Sequence, residues 1–244
     1  MQMKLSAELS PDPWRAVFEQ RDRVQVPDIL SLESARKIHQ CLSKQEKWNL
    51  VFNRDGKHTD IDADSEVLWN DSQKQDFLNL VHSQATNDFQ YLYKAVPIYD
   101  IYHKNLLPGH FLNKVFEFLN GEAFLNFVRE VLSMPEIGFA DAQATCYSAG
   151  HFLTSHDDNV QGKNRLAAYV LNLTPDWNAN WGGALQFINS GGDIEAAYSP
   201  SYNALNMFRV PQQHSVAYVT PFAGAQRYSI TGWLRAGKDP MGSN

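Results

Sequence analysis

The sequence predicts a mainly β fold with supporting α-helices, organised around a double-stranded β-helix (jelly roll, cupin-like) core. Three observations lead there. Up to Pro135 the chain carries apolar residues at helical spacing. Beyond it, short apolar segments at 144–147, 151–153, 166–173, 184–188, 205–208, 215–219 and 228–233 are separated by Gly, Asn, Asp and Pro clusters, the pattern of an antiparallel all-β unit. No linker and no internal repeat divides the two textures. The expectation is therefore one unit over 1–244, with a helix-rich supporting part at 24–135 and the β core at 140–236.

Each element follows in order. Residues 1–23, with Pro11 and Pro13, read as a loosely held lead-in. Residues 24–30 read as a short strand ending near Pro27. Ser31 starts a helix with Glu33 in its first turn and Leu32, Ala35, Ile38 and Leu42 on one face. Residues 44–70 read as irregular or strand-like, with turn material at Arg54-Asp55-Gly56 and acids at Asp60, Asp62 and Asp64; a lid here is one option. Asp71 is placed as the cap of a helix bearing Phe77, Leu80 and Val81. Another helix runs over about 109–120, with Leu112, Val115, Phe116 and Leu119 on one side; Gly121 interrupts it. The next begins near Glu122 and carries Phe124, Phe127, Val128 and Val131 until Pro135 stops it. These aromatic stripes read as packing against a sheet rather than as a ligand surface.

Composition narrows the function classes. Apolar residues make up 43% of the 244, and charged residues 20%, an ordinary globular balance. Twenty-one Lys/Arg against 27 Asp/Glu give a formal charge of −6, with no basic run, so direct nucleic-acid binding is not expected. The two cysteines, Cys41 and Cys146, do not make a disulfide framework and suit a reducing, cytoplasmic setting; Cys146 reads as buried and inert. No secretory leader is read at the start, and no apolar run is long enough to span a membrane. The pattern specifies no oligomeric state.

The chemistry concentrates in 147–159. On an extended segment His156 and Asp158, at i and i+2, point to the same side. Two imidazoles and one carboxylate suit a non-haem iron(II) and leave part of its coordination sphere open. His214 is the best third ligand. Asp157 is a rival carboxylate that would face away and cap a turn; His151 is a rival histidine on the same segment. Arg227 reads either as an exposed strand-edge residue or as a bidentate clamp for a carboxylate ligand, with Ser229 on its strand face and Tyr147 within reach from a neighbouring strand.

Taken together, Tyr147, His156 with Asp158, the run VLNLTPDW (170–177), WGGAL (181–185), His214-Ser-Val and RYSITGW (227–233) resemble, in order and nearly in spacing, the prolyl-hydroxylase-like branch of the 2-oxoglutarate/iron(II) oxygenases. The resemblance covers about 143–235. It implies His156, Asp158 and His214 as ligands of Fe(II), and Arg227 with Tyr147 as the grip on the distal carboxylate of 2-oxoglutarate. It also implies dioxygen as co-reactant, succinate and carbon dioxide as coproducts, and ascorbate as a reductant. The chain departs from the pattern at Val170, where relatives carry a tyrosine that contacts 2-oxoglutarate, at the four-residue gap between Asn172 and Trp177, and at the slightly long segment 219–226.

For the acceptor, the resemblance implies a prolyl residue of a protein such as a ribosomal protein or elongation factor. Trp177, Trp181 and Asn172 are the candidate substrate residues. The acidic stretch 60–66 suits either a basic substrate or a solvated loop. Oxidation of a small metabolite or free amino acid is the second reading, and a non-enzymatic jelly-roll binding or sensing module the third.

Overall fold

Residues 2–242 are described by the computed structural model; Met1, Ser243 and Asn244, the ends of the expected 1–244 unit, lie outside the described residues. In chain order the elements are α1 (Asp12–Arg21), β1 (Arg23–Val26), α2 (Leu32–Ser43), β2 (Asn49–Arg54), β3 (Lys57–Ile61), α3 (Ala63–Glu66) and α4 (Asp71–Ala85). Then come β4 (Tyr91–Val96), α5 (Ile98–His103), α6 (Phe111–Leu119) and α7 (Glu122–Leu132). The β-rich part holds β5 (Ile137–Ala140), β6 (Gln143–Tyr147), β7 (Phe152–His156), β8 (Arg165–Asn172), β9 (Leu185–Ile188), β10 (Ile194–Tyr198), β11 (Ala204–Arg209), β12 (His214–Val216) and β13 (Arg227–Ala236).

The strands pair antiparallel in the order β1-β11-β8-β13-β6-β4-β7-β12-β9-β10, with β5 on β13 and the β2–β3 hairpin joined to β4. The sheet folds back on itself. Phe187 of β9 meets Phe208 of β11 with ring centroids 5.4 Å apart, although those strands are not hydrogen-bonded neighbours. This is the nearly closed jelly roll that the succession of short apolar segments and turns predicted.

The period of two in the central strands sorts their side chains. Ala144 and Cys146 of β6, Ala167 and Leu171 of β8, and Ile230 and Leu234 of β13 join the large apolar cluster under α2, α6 and α7. Their alternate neighbours, Thr145, Tyr147, Val170, Arg227 and Thr231, line an interior cavity of about 970 Å³. The helices thus seal one face of the sheet, and the fold-back encloses the other.

Several expectations are corrected. The lead-in contains α1, whose Phe18 is fully buried; the prolines sit at the helix start, where a missing N–H breaks no bond. Ser31 caps α2 as expected, but Leu32 is exposed, and Ser34 joins Ala35, Ile38 and Leu42 on the buried face. The cap of α4 is Asn70, which forms a reciprocal capping box with Gln73 and leaves Asp71 inside the first turn; Leu80 points outward while Val81 is buried. Residues 44–70 are ordered as the β2–β3 hairpin and α3, the hairpin turning at Asp55 and Gly56, both with positive φ. Strands β4, β5 and β10 and helix α5 were not anticipated.

Candidate functional site

At one end of the cavity, His156, Asp158 and His214 each present a ligand atom, all within 4.8 Å of one another. The two histidines are directly opposed residues of the antiparallel β7–β12 pair, and their rings lie 4.1 Å apart. Each Nδ1 faces the carbonyl two residues earlier, His156 to Thr154 at 3.0 Å and His214 to Gln212 at 2.8 Å. A carbonyl only accepts, so Nδ1 carries the proton and the Nε2 lone pair is left free. Those Nε2 atoms lie 3.4 and 3.5 Å from the Asp158 carboxylate oxygens. Adjacent ligands on an octahedron with bonds of about 2.1 Å stand about 3 Å apart, so the donor set fits a divalent metal after small adjustment. Burial, with the charge of His156 adding to it, pulls His214 down to about 4, which keeps its imidazole neutral near neutral pH. Burial acts to raise Asp158, but the two neighbouring histidines outweigh it and hold the carboxyl below its usual range.

The route by which Asp158 reaches this position corrects the sequence argument. Strand β7 ends at His156, and Asp158 lies beyond it with φ of +62°. It is brought beside His156 by a left-handed turn, not by strand alternation. Aspartate tolerates that conformation better than most residues. Asp157 caps the turn by accepting from the Asn159 N–H at 2.9 Å. Arg165 stabilises it from the other side, donating to the Asp158 carbonyl at 2.9 Å with its guanidinium 3.4 Å from the centre of the Trp233 ring. His151 is not part of the group. It sits in the β6–β7 turn, where its Nδ1 accepts from Ser148 N–H at 3.0 Å, and burial lowers it to about 4.

At the other end, Arg227 is 2% exposed and has no carboxylate partner among the described residues. Among the described residues its only hydrogen bond is a long one, Nη2 to Asn172 Oδ1 at 3.5 Å, and its Nε has none. Burial depresses Arg227 below its usual value, yet a guanidinium stays protonated. A buried cation so poorly matched has the chemistry to pair with an anion. Tyr147 lies alongside, with the guanidinium 5.1 Å from its ring centre. Burial and the neighbouring Tyr93 push the Tyr147 hydroxyl well above its usual value, so it remains a donor. Ser229 is fully buried one step away from the cavity; its hydroxyl lies 2.8 Å from that of Thr145, which does line it.

The candidate substrate residues lie elsewhere than expected. Asn172 is fully buried against Arg227, and its Nδ2 donates to Ala204 O. Trp177 and Trp181 meet edge to face at 5.3 Å and do not line the cavity. Trp177 donates from Nε1 to the Gly182 carbonyl at 3.0 Å. Gly182 and Gly183 both have positive φ, and a Cβ on Gly182 would stand 2.0 Å from the Tyr218 carbonyl. One on Gly183 would stand 3.1 Å from Trp177 and 3.3 Å from the Arg227 side chain. The bare backbone of Gly183 lets Trp177 and Arg227 both pack against it.

Sequence reasoning missed the aromatic wall supplied by β4 and the loop before it. Phe89, Tyr91 and Tyr93 alternate toward the cavity, each 5.5 Å from the next. Tyr93 stacks on Tyr147 at 5.0 Å, and Phe89 lies 5.0 Å from His156. The alternation Phe-Gln-Tyr-Leu-Tyr was a strand signal, but nothing local tied it to a site.

Comparison with known proteins agrees with this geometry. Residues 142–235 match the family model for the 2OG-Fe(II) oxygenase superfamily. The prolyl 3-hydroxylase OGFOD1 of Mus musculus is 30% identical over an alignment covering 69% of this chain and 32% of that protein, so the chain spans about a third of its relative's length. The fold is shared with a prolyl-4-hydroxylase from Pseudomonas putida (TM-score 0.59, 17% identity, 93% of this chain and 100% of that one). It is shared also with an oxidoreductase of the 2OG-Fe(II) oxygenase family from Burkholderia pseudomallei (TM-score 0.61, 12% identity, 98% of each chain).

Proposed function

We propose that this chain, whose residues 142–235 match the 2OG-Fe(II) oxygenase superfamily and which is 30% identical to part of a prolyl 3-hydroxylase, is a prolyl-hydroxylase-like 2-oxoglutarate/Fe(II) oxygenase that hydroxylates an aliphatic C–H of a prolyl residue in a protein, such as a ribosomal protein or elongation factor. The observation that carries the reading is the buried, carboxylate-free Arg227 in the same cavity as the His156–Asp158–His214 group.

In this reading His156, Asp158 and His214 hold Fe(II) through two neutral Nε2 atoms and one carboxylate. The guanidinium of Arg227 matches a ligand carboxylate in bidentate fashion, and the Tyr147 hydroxyl donates to the same group. Asn172 orients Arg227, and the paired hydroxyls of Thr145 and Ser229 support the subsite. Trp177 closes the floor beside Arg227, with Trp181 packed on it, and so strengthens the ion pair by excluding water. When bound, Fe(II) and 2-oxoglutarate supply the oxidising power from dioxygen, with succinate and carbon dioxide as coproducts. Ascorbate serves as reductant, and the setting is cytoplasmic; among the described residues no helix is long and apolar enough to cross a membrane.

A metabolite oxygenase would keep every one of these roles. The cavity favours the larger acceptor: its volume of about 970 Å³ extends to exposed Asp55 and Gly56 at the hairpin tip, an open border rather than a closed pocket. The test is succinate release from labelled 2-oxoglutarate with Fe(II) and ascorbate, in the presence of size-fractionated cell extract. Stimulation by a protease-sensitive macromolecular fraction, with a +16 Da proline found by mass spectrometry, is expected. Stimulation by the small-molecule fraction alone would transfer the assignment to a metabolite.

A further inference from the structure

At the mouth of the cavity, Phe89 lines the opening with 41% of its surface exposed, its ring 5.0 Å from that of the metal-facing His156. Val160, two residues beyond Asp158, is a second exposed apolar residue on the same lining. Single exposed apolar side chains are common on protein surfaces. What sets Phe89 apart is how firmly its backbone is fixed.

The fixing residue is Gln90, which is 1% exposed. Its Oε1 accepts from the N–H groups of Asn53 and Tyr91, and its Nε2 donates to Asn53 O and Gln84 Oε1, all at 2.8 Å. The Gln90 N–H donates to Thr154 Oγ1 at 2.8 Å, and Thr154 N–H returns a bond to Gln90 O at 2.9 Å. The carbonyl of Phe89 itself accepts from Asn53 Nδ2 at 2.6 Å. Thr154 is also the residue whose carbonyl takes the Nδ1 proton of His156. One network therefore ties β2, α4 and β7 to the segment carrying Phe89, and the same network orients a triad histidine. A ring pinned in a wet opening is a preorganised apolar platform.

Resting on the prolyl reading above, we infer that Phe89 is a specificity-determining residue whose ring packs against the pyrrolidine of the acceptor, with Val160 adding apolar contact and Gln90 positioning the platform. A prolyl residue offers no backbone N–H, so a binding site has to recognise it chiefly by surface contact with its ring. Phe89 supplies such a surface directly beside the metal-facing group.

The test is anaerobic calorimetry. A set of proline-containing nonapeptides is titrated into the protein loaded with Mn(II) and 2-oxoglutarate, where no turnover occurs. Phe89→Ala is expected to weaken the best peptide about 10-fold or more, while the affinities for Mn(II) and 2-oxoglutarate stay within about 2-fold of the unmodified protein. Phe89→Leu, which keeps apolar volume, is expected to retain peptide affinity within about 3-fold. Unchanged peptide affinity in Phe89→Ala overturns the assignment. So does a fall in Mn(II) affinity that parallels the peptide loss in both variants, since the ring would then be only a brace for His156. If the unmodified protein binds Mn(II) and 2-oxoglutarate but none of the peptides, the prolyl reading itself falls, a result distinct from either of these.

Discussion

At the floor of the cavity Arg227, Asn172, Ser229 and Thr145 are all buried and come from the regular strands β6, β8 and β13. At the mouth Asp55, Phe89 and Val160 are exposed and come from a hairpin turn and two loops. The floor confines polar groups that the protein leaves incompletely paired, above all the guanidinium of Arg227. The mouth buries nothing unpaired, and instead holds an apolar ring in water by means of a fully satisfied amide behind it. In the proposed function, the floor gives up stability for a small charged ligand, and the mouth meets a large acceptor at little energetic expense.

The sharpest break of this comparison is to remove the His156–Asp158–His214 group. Asp158→Ala and His156→Ala are expected to bring succinate formation down to background, with 2-oxoglutarate consumption as the readout; turnover near that of the unmodified protein would displace the metal assignment. Next comes the floor alone. Arg227→Met is expected to raise the 2-oxoglutarate requirement about 100-fold while raising the Tm of the ligand-free protein, because an unmatched buried charge is replaced by an apolar side chain. A lower Tm would mean that the folded chain already satisfies the guanidinium. The mouth is tested by Gln90→Leu, which orphans the N–H groups of Asn53 and Tyr91 and the Asn53 carbonyl; a loss of about 3 kcal/mol in urea unfolding is expected, with Arg227-dependent 2-oxoglutarate binding little changed.

The smallest effect concerns the turn between β6 and β7. His151 is held down to about 4 by burial, below its unfolded value of about 6.5. The unfolded chain therefore binds the extra proton first, and the stability associated with neutral His151 is lost as pH falls from about 6.5 to 4. Relative to the unmodified protein, His151→Gln is expected to gain about 2 kcal/mol over that interval, read from urea unfolding at stepped pH. Parallel curves for the two proteins would show that His151 is not buried neutral.

The difference between floor and mouth also marks what was legible in the sequence. Ser229 could be placed on the strand face of Arg227 because side chains alternate in strands, whereas periodicity left Arg227 open between a strand-edge residue and a clamp, and its grip with Tyr147 came from the motif resemblance. The jelly roll followed from the short apolar segments separated by turn residues. His156, Asp158 and His214 were found together by motif order, although the reason offered for Asp158 was wrong, since a left-handed turn is a tertiary outcome that spacing does not encode. Phe89, Gln90 and Tyr93 were missed because their roles arise from β4 pairing with β6 and β7, strands more than 45 residues further along. A buried glutamine that joins four elements looks in sequence like any surface glutamine. Tyr93, stacked on Tyr147, brings a further tyrosine to the cavity that Val170 also lines.

The position of β4 bears on how far the molecule can be divided. The matched segment 142–235 begins after β4, yet β4 lies between β6 and β7 in the finished sheet. Cut out by itself, that segment would present two facing strand edges with a gap one strand wide, one of them leading directly to His156. Open edges of that kind recruit strands from other chains. The portion that carries the motifs is therefore not a transferable module, and grafting, shuffling or trimming of this scaffold has to carry residues 49–96 along with it.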